Sequence, residues 1–280
     1  MKLDRNKVWS GLGIALLTGT SLTTAALAAG DQKTWPGNET PTNICRPGEG
    51  GEGGEGGEGG EGGEQGQAAD LVNDDPAYLT QLGLIRGHLK VGVDLYRAGH
   101  VAAAATHMKH PQDELYASLK PALERRGVRG FGEQLQTLAD AVDNKEGADA
   151  VNAAYKNVVA AIAEAEDAVA KPSAYIMGQV IHDLVEHSAK EYGEAVKGDK
   201  VVEAHEYQDA MGFAHVAGSW LAKLEKSGAN PTLVDSIRKQ TDLILPAWPS
   251  VVPPEKITVE PSVVYGAAAR IEIATLGLKE

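Results

Sequence analysis

From Pro76 onward the apolar residues recur at steps of three, four and seven, a period that dictates helices and leaves little room for strands. Tyr78, Leu82, Ile85, Leu89 and Tyr96 mark one face of a first helix, and Leu84, His88, Val91 and Leu95 run beside it. Burial on two sides is therefore expected. Gly83 and Gly87 lie one turn apart and would let a neighbouring helix come close. Gly99 closes this helix, and His100–Met108 begins another. Pro111, followed by Asp113 and Glu114, has the signature of a first helical turn, and that helix runs to Gly127 with a kink at Pro121. Phe131–Val142 and Ala148–Val169 are amphipathic.

A helix after Pro172 presents Met177, Ile181, Leu184, Ser188, Tyr192 and Ala195 on one face and ends at Gly198; Val201–Lys226 follows, stopped by Gly228. At an offset of 99 residues His88 falls on His187, Gly99 on Gly198, Leu82 on Ile181 and Ile85 on Leu184. This spacing predicts two duplicated helical hairpins, over 76–127 and 172–228. The prolines at 246, 249, 253 and 254 force an extended crossing, pinned by Trp248, and Pro261 opens a last helix. The expected fold is all-α: an antiparallel bundle of about seven helices over 71–280, joined by short loops.

What precedes the bundle has no hydrophobic period. Lys2, Arg5 and Lys7, an apolar stretch and Ala26-Leu27-Ala28 read as a secretory signal over 1–28, which places the chain in a periplasm. Over 29–70 glycines alternate with glutamates at 49, 52, 55, 58, 61 and 64, and like charges on so entropic a backbone are expected to stay a disordered acidic spacer. The formal charge of −13 argues against nucleic acid as a partner, since phosphates are held by Lys and Arg. No later run is apolar enough for an integral membrane helix. A single cysteine, Cys45, excludes disulfide frameworks within the chain and thiolate metal sites.

Chemistry is confined to histidine. All eight lie between His88 and His215. His107-Met108-Lys109-His110 places two imidazoles one helical turn apart beside a thioether, donors that suit iron or copper. Pro111 is expected to open the turn at His110. His88 and its counterpart His187 supply a pseudo-symmetric second position. Competing patterns are the His182, Asp183, Glu186 and His187 run, whose spacing also suits ion pairs on a solvated face, and the line His205, Gln208, Met211 and His215. The ends of that line are about 15 Å apart along a helix and cannot share one ion. Zincin, ferritin-type, serine-nucleophile and phosphate-loop motifs are all absent. An enzyme reading survives only as metal-dependent chemistry at the same histidines.

Ala98-Gly99-His100-Val101-Ala102-Ala103-Ala104-Ala105, then Pro121-Ala122-Leu123-Glu124, with Glu206-Tyr207-Gln208-Asp209-Ala210 further on, resembles the helical hairpins of the imelysin-like family. That resemblance implies an exported, duplicated all-α bundle linked to iron or copper handling. Lys120 and His100 depart from the family pattern and its His-x-x-Glu motif is missing, so no site residue is carried over. The sequence thus points to a non-catalytic periplasmic metal-handling protein with iron or copper at His107, Met108 and His110, and at His88 and His187. The alternative is a helical scaffold of the cell envelope that holds a partner protein without metal.

Overall fold

The computed structural model describes residues 70–279, and they form an antiparallel all-helical bundle. The signal and the Gly/Glu spacer expected from the sequence lie outside the described residues, apart from the spacer's last position. Nine α-helices occur among the described residues: α1 (Asp75–Arg97), α2 (Val101–His110), α3 (Tyr116–Arg125), α4 (Gly132–Asp143), α5 (Ala148–Asp167), α6 (Ala174–Ala195), α7 (Ala204–Glu225), α8 (Pro231–Ile244) and α9 (Pro261–Leu276). None is long and apolar enough to cross a membrane.

The helix missed by the count of seven is chiefly α8. Its start carries sound signals, since the Asn230 side chain accepts from Thr232 N and Pro231 occupies the first turn. Its buried stripe is only four residues, Val234, Ile237, Thr241 and Ile244, squeezed between Gly228 and the proline-rich crossing. So short a stripe gives a weak period.

Pro111 does not open the chain at His110. His110 stays helical (φ −48°, ψ −53°), and α2 passes into α3 through one widened turn, Pro111–Leu115, in which Tyr116 N donates to Pro111 O. Proline has no N–H to close the normal bond back to His107. The chain therefore takes up one extra residue and continues, a π-type turn of the kind that recurs at functional sites.

Helices α6 and α7 pack most extensively on each other, α9 covers α6, and α1 lies against α7, α2, α5 and α6. The close approach of α1 to α7 rests on two glycines. A Cβ on Gly212 would sit 2.5 Å from Gly87 O, and one on Gly87 would sit 2.7 Å from the Phe213 ring. Gly83 faces α6 in the same way, against Leu184. Helices α1 and α6 begin 99 residues apart, but their exits differ: α1 turns at Gly99 (φ +86°), whereas α6 leads into a two-stranded hairpin, Val196–Lys197 with Lys200–Val201, around Gly198 (φ +64°).

The buried Glu166 of α5 ties three helices together, taking Arg86 of α1 at 3.4 Å and Lys223 of α7 at 2.6 Å. The crossing after α8 is fastened from below. Tyr207 donates to Ser250 O (3.0 Å), Tyr192 to Val259 O (2.8 Å), and Trp248 packs edge-on against Tyr192. Each bond satisfies a phenol that the core would otherwise strand.

Candidate metal centre

The crossing of α1 and α7 at Gly87 and Gly212 brings α2 alongside, and four imidazoles from three helices close a circuit there. Their ring centroids are 6.2 Å apart for His88–His107, 4.2 Å for His107–His205, 5.8 Å for His205–His110 and 4.8 Å for His110–His88. One carboxylate, Asp209, serves three of them. Its Oδ1 lies 2.6 Å from His88 Nδ1 and 3.0 Å from His107 Nδ1, and its Oδ2 lies 3.2 Å from His205 Nε2. The fourth ring, His110, points its Nε2 at Glu114 Oε2, 2.8 Å away. His88, His107 and Asp209 are buried, at 3%, 0% and 3% exposure, and converge closely enough to hold one ion.

The environment fixes the proton positions. Gln208 Nε2 donates to Val251 O (3.3 Å) on the crossing segment, so its Oε1 faces His107 Nε2, 2.9 Å away. An amide oxygen can only accept, which makes Nε2 the protonated nitrogen of His107. The other nitrogen, Nδ1, is then bare in the neutral ring and meets Asp209 Oδ1, acceptor against acceptor. Such a pair in a buried place calls for a positive charge between or on its members, a proton or a metal ion.

Burial alone would push the Asp209 carboxyl up. The charges and close contacts of His88 and His107 outweigh it and hold the group well below the usual carboxylate range, so it is an anion. His205 is lowered as well, which for an imidazole favours the neutral form. Burial pulls it down, Asp209 opposes this, and the neighbouring imidazoles of His107 and His88 add to the fall. A neutral His205 keeps a lone pair to offer. Beside the circuit, on the α6–α7 face, Glu191 is hydrogen-bonded to Glu206 and pushed up to about 9, first by burial and then by that bond and the charge of Glu206.

Of the residues singled out from sequence, His88, His107 and His110 come together. Met108 is buried on another side of α2, its methyl filling the notch at Gly92 of α1. His187 packs edge-on against Phe213, whose ring also meets His88 edge-on at 5.0 Å, and it is not among the converging ligand atoms. The residues passed over are Asp209, as a ligand, and Gln208, as the group that orients His107; His205 was noted only within a different line. A sequence signal existed: His205 and Asp209 are four apart on one helix. What it lacked was the information that α1 and α2 supply their partners.

A second group, His182, Asp183 and Glu186 on α6, also converges but is half-buried. His182 Nδ1 lies 2.8 Å from Asp183 Oδ1, and Thr80 donates to Asp183 Oδ2 (3.3 Å). That hydrogen bond to Asp183 raises His182, against the pull of burial. This is the pattern of an ion pair on a helix face.

No curated protein and no solved structure matches the chain. The family model described as the iron permease-associated 4-helix bundle domain matches residues 171–276, the segment that holds the four helices α6 to α9. The likeness is therefore to an iron-related helical-bundle family, and not to the imelysin-like family in particular.

Proposed function

We propose that the protein binds a divalent first-row metal ion as cargo between α1, α2 and α7 and serves iron uptake without catalysing a reaction. The carrying observation is the His107–Asp209 contact. Gln208 holds the Nε2–H of His107, so its Nδ1 is turned to a carboxylate oxygen, and His88 Nδ1 comes to that same oxygen from the other helix. A metal-bound histidine commonly has its second nitrogen fixed in this way by a carbonyl. The donors are imidazole and carboxylate, which suit Fe(II), Cu(II) and Zn(II). With Met108 turned to Gly92, the soft-donor case for copper(I) loses its thioether.

Iron is the first candidate because of the matched family's description, and copper(II) fits the same donors. The imelysin-like resemblance shares with that family only helical bundles and iron handling, and the proposal uses no more than this common ground. The periplasmic location, the cleavage after Ala28 and the ancestral duplication belong to the same proposal; the equal start of α1 and α6 supports the last of these.

The test is anaerobic titration of the metal-free protein with Fe(II), Cu(II) and Zn(II), paired with elemental analysis of the protein as purified. One equivalent is expected, and Asp209→Asn should weaken it by more than about 100-fold, since even outer-shell changes cost 10–100-fold. Unchanged affinity in that variant would remove the site. No binding by the unsubstituted protein would show that a proton alone fills the place. The scaffold reading would then lead, favoured by the exposed Tyr265, Ile273 and Leu276 on α9.

A further inference from the structure

Resting on the metal-binding reading above, we propose that His110 and Glu114, together with His205, form an outer cation subsite that loads the buried one. The inner ligands are closed to water: His88, His107 and Asp209 expose no more than 3% of their surface. The other two rings of the circuit are not closed. The side chains of His110 and His205 are 19% and 30% exposed, and Glu114 is 42% exposed. His110 stacks on His88, His205 stacks on His107, and the two outer rings lie 5.8 Å apart. An ion that leaves water for Asp209 by this face meets them first.

The chemistry changes along this path in the direction a transfer needs. Glu114 Oε2 sits 2.8 Å from His110 Nε2, so the mouth offers one carboxylate and one imidazole at the surface, a weak pair for a hydrated divalent ion. A ligand that binds weakly can let go. Further in, His205 Nε2 already touches Asp209 Oδ2 at 3.2 Å, and that same carboxylate reaches His88 and His107 through Oδ1. One ring thus belongs to both tiers, and the ion can exchange ligands one at a time. The widened turn at Pro111–Leu115 carries Glu114 and begins at the residue after His110. The two mouth residues are held where the helix departs from its normal winding.

Stopped-flow mixing with Co(II), followed by its visible absorption, reads association and dissociation separately. Glu114→Gln and His110→Ala are expected to slow association about tenfold, at the low end of the roughly one to three decades over which association rates vary among variants of one site. Dissociation should slow alike, leaving Kd within about threefold, because a subsite on the path lowers the barrier from both sides. The deficit should persist in 0.5 M NaCl, where the Debye length is only about 4 Å. Three results overturn the proposal: unchanged association rates, a deficit abolished by salt, which is long-range steering alone, or a Kd raised as far as in Asp209→Asn, which makes these residues inner ligands. Absence of Co(II) binding by the unsubstituted protein at equilibrium overturns the parent reading and this one together, and so is told apart from the rest.

Discussion

Replacing Gln208 by leucine keeps the bulk of a buried side chain but removes the acceptor for His107 Nε2–H and the donor for Val251 O. The imidazole is then free to carry its proton on Nδ1, the nitrogen the ion needs. Metal affinity should fall about 10–100-fold in Gln208→Leu, the usual cost of losing an outer-shell partner. Gln208→Glu, which still accepts from Nε2–H, should keep more of the affinity, and calorimetric titration of both variants checks the order. At this scale the histidines were legible from sequence, because imidazoles confined to one part of a chain with no thiolates in it narrow the chemistry. Their roles were not. Nothing in the His107-Met108-Lys109-His110 string says that Met108 turns to Gly92 while its neighbour turns to Asp209; that division is made by α1 packing against α2. Asp209 was hidden for the same reason, as one acidic residue among many on an acidic chain.

Helix α7 crosses α1 with Gly212 against Gly87 O, and the nearest candidate ligands are His88, one residue beyond Gly87, and Asp209, three before Gly212. Gly212→Ala places a methyl where backbone already lies, so the helices must separate by a few tenths of an ångström or more. The expected result is a loss of about 1–3 kcal/mol of stability, the cost of overpacking, together with weaker metal binding, read by thermal melts and titration of the same sample. Ser219→Ala, which removes a half-buried hydroxyl that donates to His215 O on its own helix, is the control that should leave both nearly unchanged. The helices themselves could be read from the apolar period. The glycine pair at 83 and 87 announced close neighbours, without saying that α6 meets one and α7 the other. Two features escaped: α8, whose stripe is short, and the widened turn at Pro111, where the local rule against helix before proline lost to the continuous packing of α2 and α3.

Over the molecule as a whole, the stability of the metal-free protein should respond to pH through Glu191. Its carboxyl rises from an ordinary 4.5 to about 9 because burial and Glu206 favour the neutral form. The folded state therefore binds a proton that the unfolded state has released anywhere between these values. The contribution is fully present below pH 4.5 and is lost as pH rises towards 9. Melting temperatures measured from pH 5 to 9 should fall along this limb, and Glu191→Gln, which mimics the neutral acid, should flatten it. A sequence gives no hint of this, since two glutamates fifteen positions apart become neighbours only when α6 lies on α7.

The circuit of imidazoles draws His88, His107 and His110 from α1 and α2, and His205 with Asp209 from α7. The segment that matches the iron permease-associated bundle begins at residue 171 and contains only the second group. The four helices of that segment thus bring one imidazole and the buried carboxylate, while the preceding segment brings three rings, with Glu114 beside the outer one. On the proposed metal-binding reading, either half alone is an incomplete chelator, and affinity would be created by their docking. The ion would then act as a clasp: it binds only when both halves are seated, and its release loosens the contact that made it. A protein built in this way can exchange cargo by a small parting of two helices at a glycine crossing, with no need to unfold any of them.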